Sequence, residues 1–572
     1  MSILGGNSQI NTRLWNRGSA SPKTIFESKV NSPGEPKEKK QQPQKAGYVV
    51  EPPLVGRPIP KNFELVEQYA LSPPFAYAVI AEEPTRRLPH YFIDELRLNQ
   101  EEELAYAKII RTLQIELSAP RDEVDPRKYF AEQAQRIADR YKLLKLSKAQ
   151  VSWAKILYYA ERDMVGFGAI DPLMRDPNIE DISVDGIERP TFVYHRKYEN
   201  LETNLIFETS QRLDDLIVRL AHMSGKHVST AFPIVDATLP GKHRLAITYR
   251  KEVSPRGSTM SIRKFREDPI TIIDLINFGT IDYTTAAYAW LLLENRATAI
   301  VVGATAAGKT TFLNALLSMV SPNSKIVTIE EVTEINMHHP NWAQLVSRIS
   351  YGLSEDNTGD ISLFSLVKTA MRMRPDILVV GEVRGEEAYS LFQAISTGHG
   401  GLCTLHADDT HSAIQRLVSK PMDVAPAYIN FLDLVFSVRR VAVPNPENPD
   451  TLRFVRRLIS LDEILDSNRH LSIVTWDPQK DKLNHMLEKS EKLRRLAKDQ
   501  GQDIEELIVE IDNRILVLEW LKRKNVRNYI ELSTIFSQYH SDPLSVLTRI
   551  RGEELAPSVS PGPTRALGDL GA

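Results

Sequence analysis

The sequence predicts a multidomain α/β protein whose core is a parallel sheet covered by helices. Three observations carry that reading. The chain has 572 residues, too many for one hydrophobic core and enough for about three or four units. Beyond residue 269, short apolar runs alternate with helix-compatible stretches, the pattern of a parallel sheet with its ligand at the carboxyl ends of the strands. One such run, Ala299-Ile-Val-Val302, leads directly into a glycine-rich loop and then a helical run.

Taken in chain order, residues 1–47 are polar and turn-rich and cannot bury enough apolar surface to offset their ordering entropy, so a disordered tail is expected. Its isolated apolar residues Ile3, Leu4, Leu14, Trp15, Ile25 and Phe26 leave a short docking motif open. Residues 48–165 read as a helical N-terminal domain, because residues 101–117 and 126–144 carry apolar side chains at three- and four-residue spacing. From 166 to 268 the texture changes to an α+β domain. Strand-like runs there are Ile182-Ser-Val184, Thr191-Phe-Val-Tyr194, Leu245-Ala-Ile-Thr-Tyr249 and Thr259-Met-Ser-Ile262, with one helical run at residues 211–223.

The alternating unit spans residues 269–465, with strand candidates at 299–302, 325–329, 377–380, 401–405 and 434–438. Residues 466–555 turn charged and helical, with Leu507, Ile508, Ile511, Ile515 and Leu518 on one face. A Pro/Ser/Gly tail, expected to be disordered, fills 556–572.

Composition removes several function classes. Net charge is −3 with both signs mixed, so no global field is available to hold nucleic acid or an anionic membrane. Cys403 is the single cysteine, which excludes an intramolecular disulfide and a cysteine-rich zinc module and fits a reducing cytosol. No apolar core follows Met1, so no signal peptide is expected. No apolar run reaches the roughly 18 residues of a spanning helix; the stretch 286–302 is broken by Glu294, Asn295 and Arg296. Membrane contact is therefore expected to be peripheral.

The chemistry concentrates after residue 299. Gly303-Ala304-Thr305-Ala306-Ala307-Gly308-Lys309-Thr310 fits the phosphate-loop pattern G-x-x-x-x-G-K-[ST] at every fixed position. Glycines let backbone N–H groups wrap phosphates, Lys309 adds a cation at the outer phosphates, and the Thr310 hydroxyl can ligate Mg²⁺. The helix that follows from Thr311 points its N-terminal dipole at the anion. A nucleotide triphosphatase is the expectation. A second run, Ile377-Leu-Val-Val-Gly-Glu382, ends in a carboxylate placed to order the attacking water and the Mg²⁺ shell. A third, Val327-Thr-Ile-Glu330-Glu331-Val-Thr-Glu334, offers carboxylates from the other side; several acids close together call for a cation or donors. A fourth, Thr397-Gly-His399-Gly-Gly-Leu-Cys-Thr404-Leu-His406-Ala-Asp408, sets two imidazoles a strand's length apart. Such groups can report a phosphate by hydrogen bonds, while a zinc site lacks the ligands to close a tetrahedron.

Together these four boxes, in this order, resemble the type II/type IV secretion superfamily of ATPases, the motors of secretion pseudopili, type IV pili and archaella. The family's Walker A, aspartate box, Walker B and histidine box correspond to the four stretches above. The archaeal members are closest in texture, through His339-Pro-Asn-Trp342, Leu345-Val-Ser-Arg348, Ser261-Ile-Arg-Lys-Phe265 and the run from Met371 to Ala388. The resemblance implies ATP and Mg²⁺ as cofactors, and a PAS-like α+β N-domain that closes on a RecA-like ATPase domain. It also implies a cytoplasmic homo-hexamer, peripherally held at the inner face of the cell membrane by a polytopic platform protein and serving a pilin- or archaellin-like filament. It makes Glu330 the aspartate-box carboxylate and Glu382 the Walker B carboxylate, and has His399 and His406 couple nucleotide state to closure. By the same likeness Arg244, Arg256 and Arg263 are candidates to reach phosphate. Two departures stand out: Glu330-Glu331 replaces the usual Glu-Asp pair, leaving open which carboxylate acts, and the four-cysteine zinc module of many bacterial members is impossible here. A RecA-like nucleic-acid or conjugation motor is the alternative, although no basic stripe interleaved with aromatics supports nucleic-acid binding. A non-catalytic ATP-binding scaffold is a third reading.

Overall fold

Where helices were expected at the start of the described chain, the polypeptide instead forms a three-stranded antiparallel meander: β1 (Glu64–Ser72), β2 (Ala76–Glu83) and β3 (Leu88–Glu95). The computed structural model describes residues 50–117, 125–141, 150–348, 360–444 and 452–555, and both expected tails lie outside them. Ala- and Glu-rich composition hides these strands, yet the buried residues Ala78, Ile80, Tyr91 and Ile93 alternate as a sheet face requires. Helices begin only afterwards, with α1 (Gln100–Glu116), α2 (Pro126–Arg140) and α3 (Gln150–Met164). In α1 an Asn99–Glu102 capping box satisfies the first turn, and Ala105, Tyr106, Ile109, Ile110 and Leu113 form its buried stripe. Arg162 of α3 is fully buried and meets Glu95 at 3.0 Å, fixing this helical layer to the end of β3.

After α4 (Asp171–Arg175) come β4 (Ile179–Val184), β5 (Pro190–His195), β6 (Glu199–Ile206), α5 (Ser210–Met223), β7 (Ile234–Thr238), β8 (Arg244–Thr248) and β9 (Thr259–Arg263). The four predicted runs correspond to β4, β5, β8 and β9, and the predicted helix to α5. All nine strands join one sheet in the order β1-β2-β3-β6-β5-β4-β9-β8-β7. The meander is attached through Tyr91↔Thr203 and through the buried Asp176 carboxylate, which accepts from the hydroxyls of Tyr69 and Tyr91 at 2.6 and 2.7 Å. The sheet thus runs across the boundary expected at residue 165.

The second sheet is preceded by α6 (Ile272–Asn277) and α7 (Tyr283–Glu294). It contains β10 (Ala299–Val302), β11 (Ile326–Glu330), β12 (Trp342–Val346), β13 (Ile377–Val383), β14 (Gly400–Leu405) and β15 (Leu434–Pro444), interleaved with α8 (Lys309–Leu317), α9 (Leu363–Arg372), α10 (Glu387–Ser396), α11 (Thr410–Val418) and α12 (Pro426–Ile429). Their order, β12-β11-β13-β14-β10-β15, is parallel throughout. All five predicted strands are present; β12 is the addition. Both faces of β10 are buried: Ala299 and Val301 pack with Leu402, Phe436 and α7, and Ile300 and Val302 with Val380 and Leu405.

Residues 466–485, expected to be helical, instead extend that sheet. The strands β16 (Leu452–Asp466), β17 (Arg469–Asp477) and β18 (Lys482–His485) add antiparallel to β15. The helices α13 (Glu491–Gln500), α14 (Ile504–Arg523), α15 (Tyr529–Ser541) and α16 (Pro543–Leu555) follow. Leu507, Ile511 and Leu518 of α14 pack into the same core as α7, and Ile515 packs against it, as the helical spacing predicts.

Candidate functional site

The phosphate loop leaves the carboxyl end of β10 and enters α8 at Lys309. Its shape needs its residues. A Cβ on Gly303 would stand 2.4 Å from the Val438 carbonyl oxygen, so no larger side chain fits there. Gly308 has φ +89° and Ala306 φ +61°, left-handed positions that turn successive backbone N–H groups into one concavity. Lys309 Nζ donates to the Ala304 carbonyl at 3.2 Å across the loop. Burial lowers the Lys309 pKa, and the carboxylates of Glu382 and Glu334 pull it back up, so both acids lie within electrostatic reach of this ammonium. Thr310 and Thr311 occupy the first turn of α8.

A mixed set of donors and oxygen ligands is the chemistry that a magnesium-bound triphosphate requires. Among the described residues no group of three or more His, Cys, Asp or Glu is placed to hold a metal by itself. Mg²⁺ commonly takes one or two protein oxygens and completes its shell with phosphate and water. The Thr310 hydroxyl and the Glu382 carboxylate fit that share.

The three acids of the second box behave differently. Glu330, at the end of β11, is 2 % exposed. Its Oε1 accepts from the backbone N–H groups of Glu334 and Ile335, both at 2.8 Å, and its Oε2 from Gln344 Nε2 at 2.9 Å. Desolvation raises its pKa against those three donors. With both oxygens engaged, Glu330 pins the turn that follows β11. Glu331 and Glu334 are exposed beyond it. Asn314 of α8 ties the same turn to the phosphate loop's helix by accepting from Asn336 N at 3.0 Å. Glu330→Ala, which leaves three donors without their acceptor, the Ile335 N–H among them buried, is expected to lower folding stability by about 2–4 kcal/mol, read as a shift of the urea midpoint.

Glu382 projects from the end of β13 and pairs with Arg384 at 3.1 Å; the same Arg384 nitrogen reaches Glu331 at 2.9 Å. The Thr404 hydroxyl donates to the Gly381 carbonyl at 2.7 Å, bracing the bend before Glu382 from β14.

The two histidines part company. His406 follows β14 on the loop side of the sheet, where its Nε2 lies 3.0 Å from the Thr305 hydroxyl of the phosphate loop. Arg416 of α11 holds the His406 carbonyl. His399, expected to bind nucleotide as well, sits before β14 at the amino end of the strands. Its Nδ1 meets the Thr397 hydroxyl and the Ala394 carbonyl at 3.1 and 3.0 Å. Six residues of strand at about 3.3 Å each separate the two rings, so within this chain His399 closes the end of α10 and does not reach the phosphate loop.

Of the three arginines, Arg244 is within electrostatic influence of the acids. Arg244, at the start of β8, pairs with Asp236 at 2.8 Å. That bond chiefly raises its pKa, with further contributions from Asp236, Glu331 and Glu334. Arg263 pairs instead with Asp181 at 3.1 Å. Arg256 is exposed in the turn before β9, and neither it nor Arg263 has a contact among the described residues that reaches the phosphate loop.

Sequence reasoning missed Arg456. From β16 its Nε donates to the Ala306 carbonyl at 3.3 Å, and its Cδ lies 3.1 Å from where a Cβ on Gly308 would be. Arg440, directly opposite on β15, pairs with Glu199 of β6 at 2.5 Å. Two arginines facing each other across strands repel, and here one is turned to the phosphate loop and the other to the first sheet. Only the β15–β16 register, which no local pattern displays, reveals this pair.

Residues 165–454 match the family model described as type II/IV secretion system protein. The uncharacterized protein MJ0900 of Methanocaldococcus jannaschii is 35 % identical over 407 residues, which cover 69 % of this chain and 71 % of that one. The putative conjugal transfer protein Rv3659c of Mycobacterium tuberculosis is 33 % identical over 256 residues, 44 % of this chain and 71 % of that one. A solved structure, the ATPase DotB of Legionella pneumophila, aligns at 18 % identity over 67 % of this chain and 93 % of that one, with a TM-score of 0.36.

Proposed function

Because this chain belongs to the type II/IV secretion system protein family, we propose that it is an ATP-hydrolysing motor. It drives assembly, rotation or export of a pilin- or archaellin-like filament through a polytopic membrane platform protein. No helix among the described residues is long and apolar enough to cross a membrane. The observation that carries the reading is a phosphate loop leaving the carboxyl end of the parallel strand β10, with His406 after β14 lying 3.0 Å from its Thr305 and Glu382 near the same end of β13.

In this reading the loop's backbone donors and Lys309 hold the phosphates, and Glu382 orients the attacking water and accepts its proton. Magnesium, when bound with the nucleotide, supplies charge neutralisation at the β- and γ-phosphate oxygens. Glu331 and Glu334 flank the water's approach, while Glu330 holds the turn that presents them. His406 reads the phosphate loop through Thr305, and Arg244 brings the charge of the first sheet to the same mouth. The working form is a homo-hexamer in which the N-domain and the RecA-like domain close on nucleotide.

Phosphate release from Mg–ATP by the full chain tests this. We expect Lys309→Ala to abolish turnover and to weaken nucleotide binding at least about tenfold, the loss of one charge-assisted contact. Turnover at the wild-type rate in that variant would sink the reading. A conjugation-type export motor is the second reading, favoured by the likeness to the mycobacterial conjugal transfer protein. It requires stimulation by single-stranded DNA where platform protein and lipid have no effect.

A further inference from the structure

Resting on that reading, we propose that Arg384 is a built-in counter-cation for the nucleotide-facing acids, holding Glu331 and Glu382 together until the magnesium of an incoming nucleotide displaces it. One nitrogen, Nη2, lies 2.9 Å from Glu331 Oε2 and 3.1 Å from Glu382 Oε2, so it joins carboxylates carried by two different strand ends. Without a cation between them those carboxylates would repel. The base of the residue is fixed: the backbone N–H groups of Arg384 and Gly385 donate to the buried Glu387 carboxylate at 2.6 and 2.7 Å. Its head is not, because the side chain is 60 % exposed.

These two properties make an exchangeable clamp. A guanidinium stays charged at any physiological pH, so the acids cannot be released by deprotonation; the head has to move. Moving it costs little, since an exposed ion pair gains little over its solvated partners. A divalent cation carried in by phosphate offers Glu382 a stronger partner than the guanidinium, and the two like charges repel at contact distance. Arg384 therefore sets a threshold: the acids stay paired with protein until nucleotide and magnesium arrive together.

The sign follows from charge. Deleting the guanidinium removes a competitor and a repulsive charge at once, and both effects favour magnesium. Binding of fluorescent N-methylanthraniloyl-ADP to the full chain, titrated with Mg²⁺, reads this without turnover. In R384A and in R384Q, which keeps a shorter but polar, uncharged side chain, the Mg²⁺ midpoint is expected to fall about three- to fivefold below wild type. R384K, which keeps the charge, should stay within about twofold of wild type. An unchanged or raised midpoint in R384A and R384Q, with nucleotide still bound, overturns the clamp while leaving the ATPase reading intact. Wild-type protein that binds no nucleotide at any Mg²⁺ concentration overturns both.

Discussion

Glu382→Gln is expected to cut steady-state phosphate release about 10²- to 10⁴-fold while leaving nucleotide binding within a few-fold of wild type. The substitution conserves shape and hydrogen-bonding reach but removes the proton acceptor. Position singles Glu382 out. It lies one residue before the end of β13 and within electrostatic reach of Lys309, while Glu330, at the end of β11, has both oxygens committed to backbone and Gln344 donors. A carboxylate that is 2 % exposed and already accepts from three donors has at most one lone pair left and little open approach for water. Among the described residues the ion pair recorded for Glu382 is with Arg384 at 3.1 Å, a bond that can open. Single-turnover measurement with excess enzyme separates chemistry from product release; retention of more than a tenth of the wild-type rate in Glu382→Gln would move the base to Glu331 or Glu334.

Much of this site was legible because its chemistry is local. The phosphate loop, the acid-ending strand and the acidic turn each lie within about ten consecutive residues, and strand–loop–helix alternation was enough to align them at one end of a parallel sheet. What the sequence concealed depends on register or tertiary pairing. Glu330 and Glu331 are adjacent and chemically alike, and only the fold decides that the first turns inward to bond the chain four and five residues on. His399 and His406 look equivalent as a pair, yet a strand between them sends them to opposite ends of the sheet. Arg456 becomes a neighbour of the phosphate loop only through a long hairpin whose β15–β16 register sets arginine against arginine. The meander at residues 64–95 was hidden for another reason: its Ala and Glu content favours helix by propensity, and burial against the α+β layer overrides it.

Arg244→Ala carries the other large expectation, a loss of about 10³- to 10⁵-fold in turnover if its guanidinium meets transition-state charge. The residue starts strand β8 on the first sheet, yet the acids Glu331 and Glu334 of the second sheet act on it. Asp236 restrains it at 2.8 Å while 42 % of the side chain remains exposed, so it is both oriented and able to reach out. Arg244→Lys should fail nearly as badly, because an ammonium cannot keep the Asp236 pairing and present a planar fork at the same time. Arg263→Ala, whose partner is Asp181, should cost far less. Mixing Arg244→Ala with Lys309→Ala chains decides where the arginine acts. An arginine serving the nucleotide of its own chain cannot rescue a partner, so the mixture stays inactive. Recovery of turnover on mixing would place Arg244 across a subunit boundary, completing the site of a neighbouring chain.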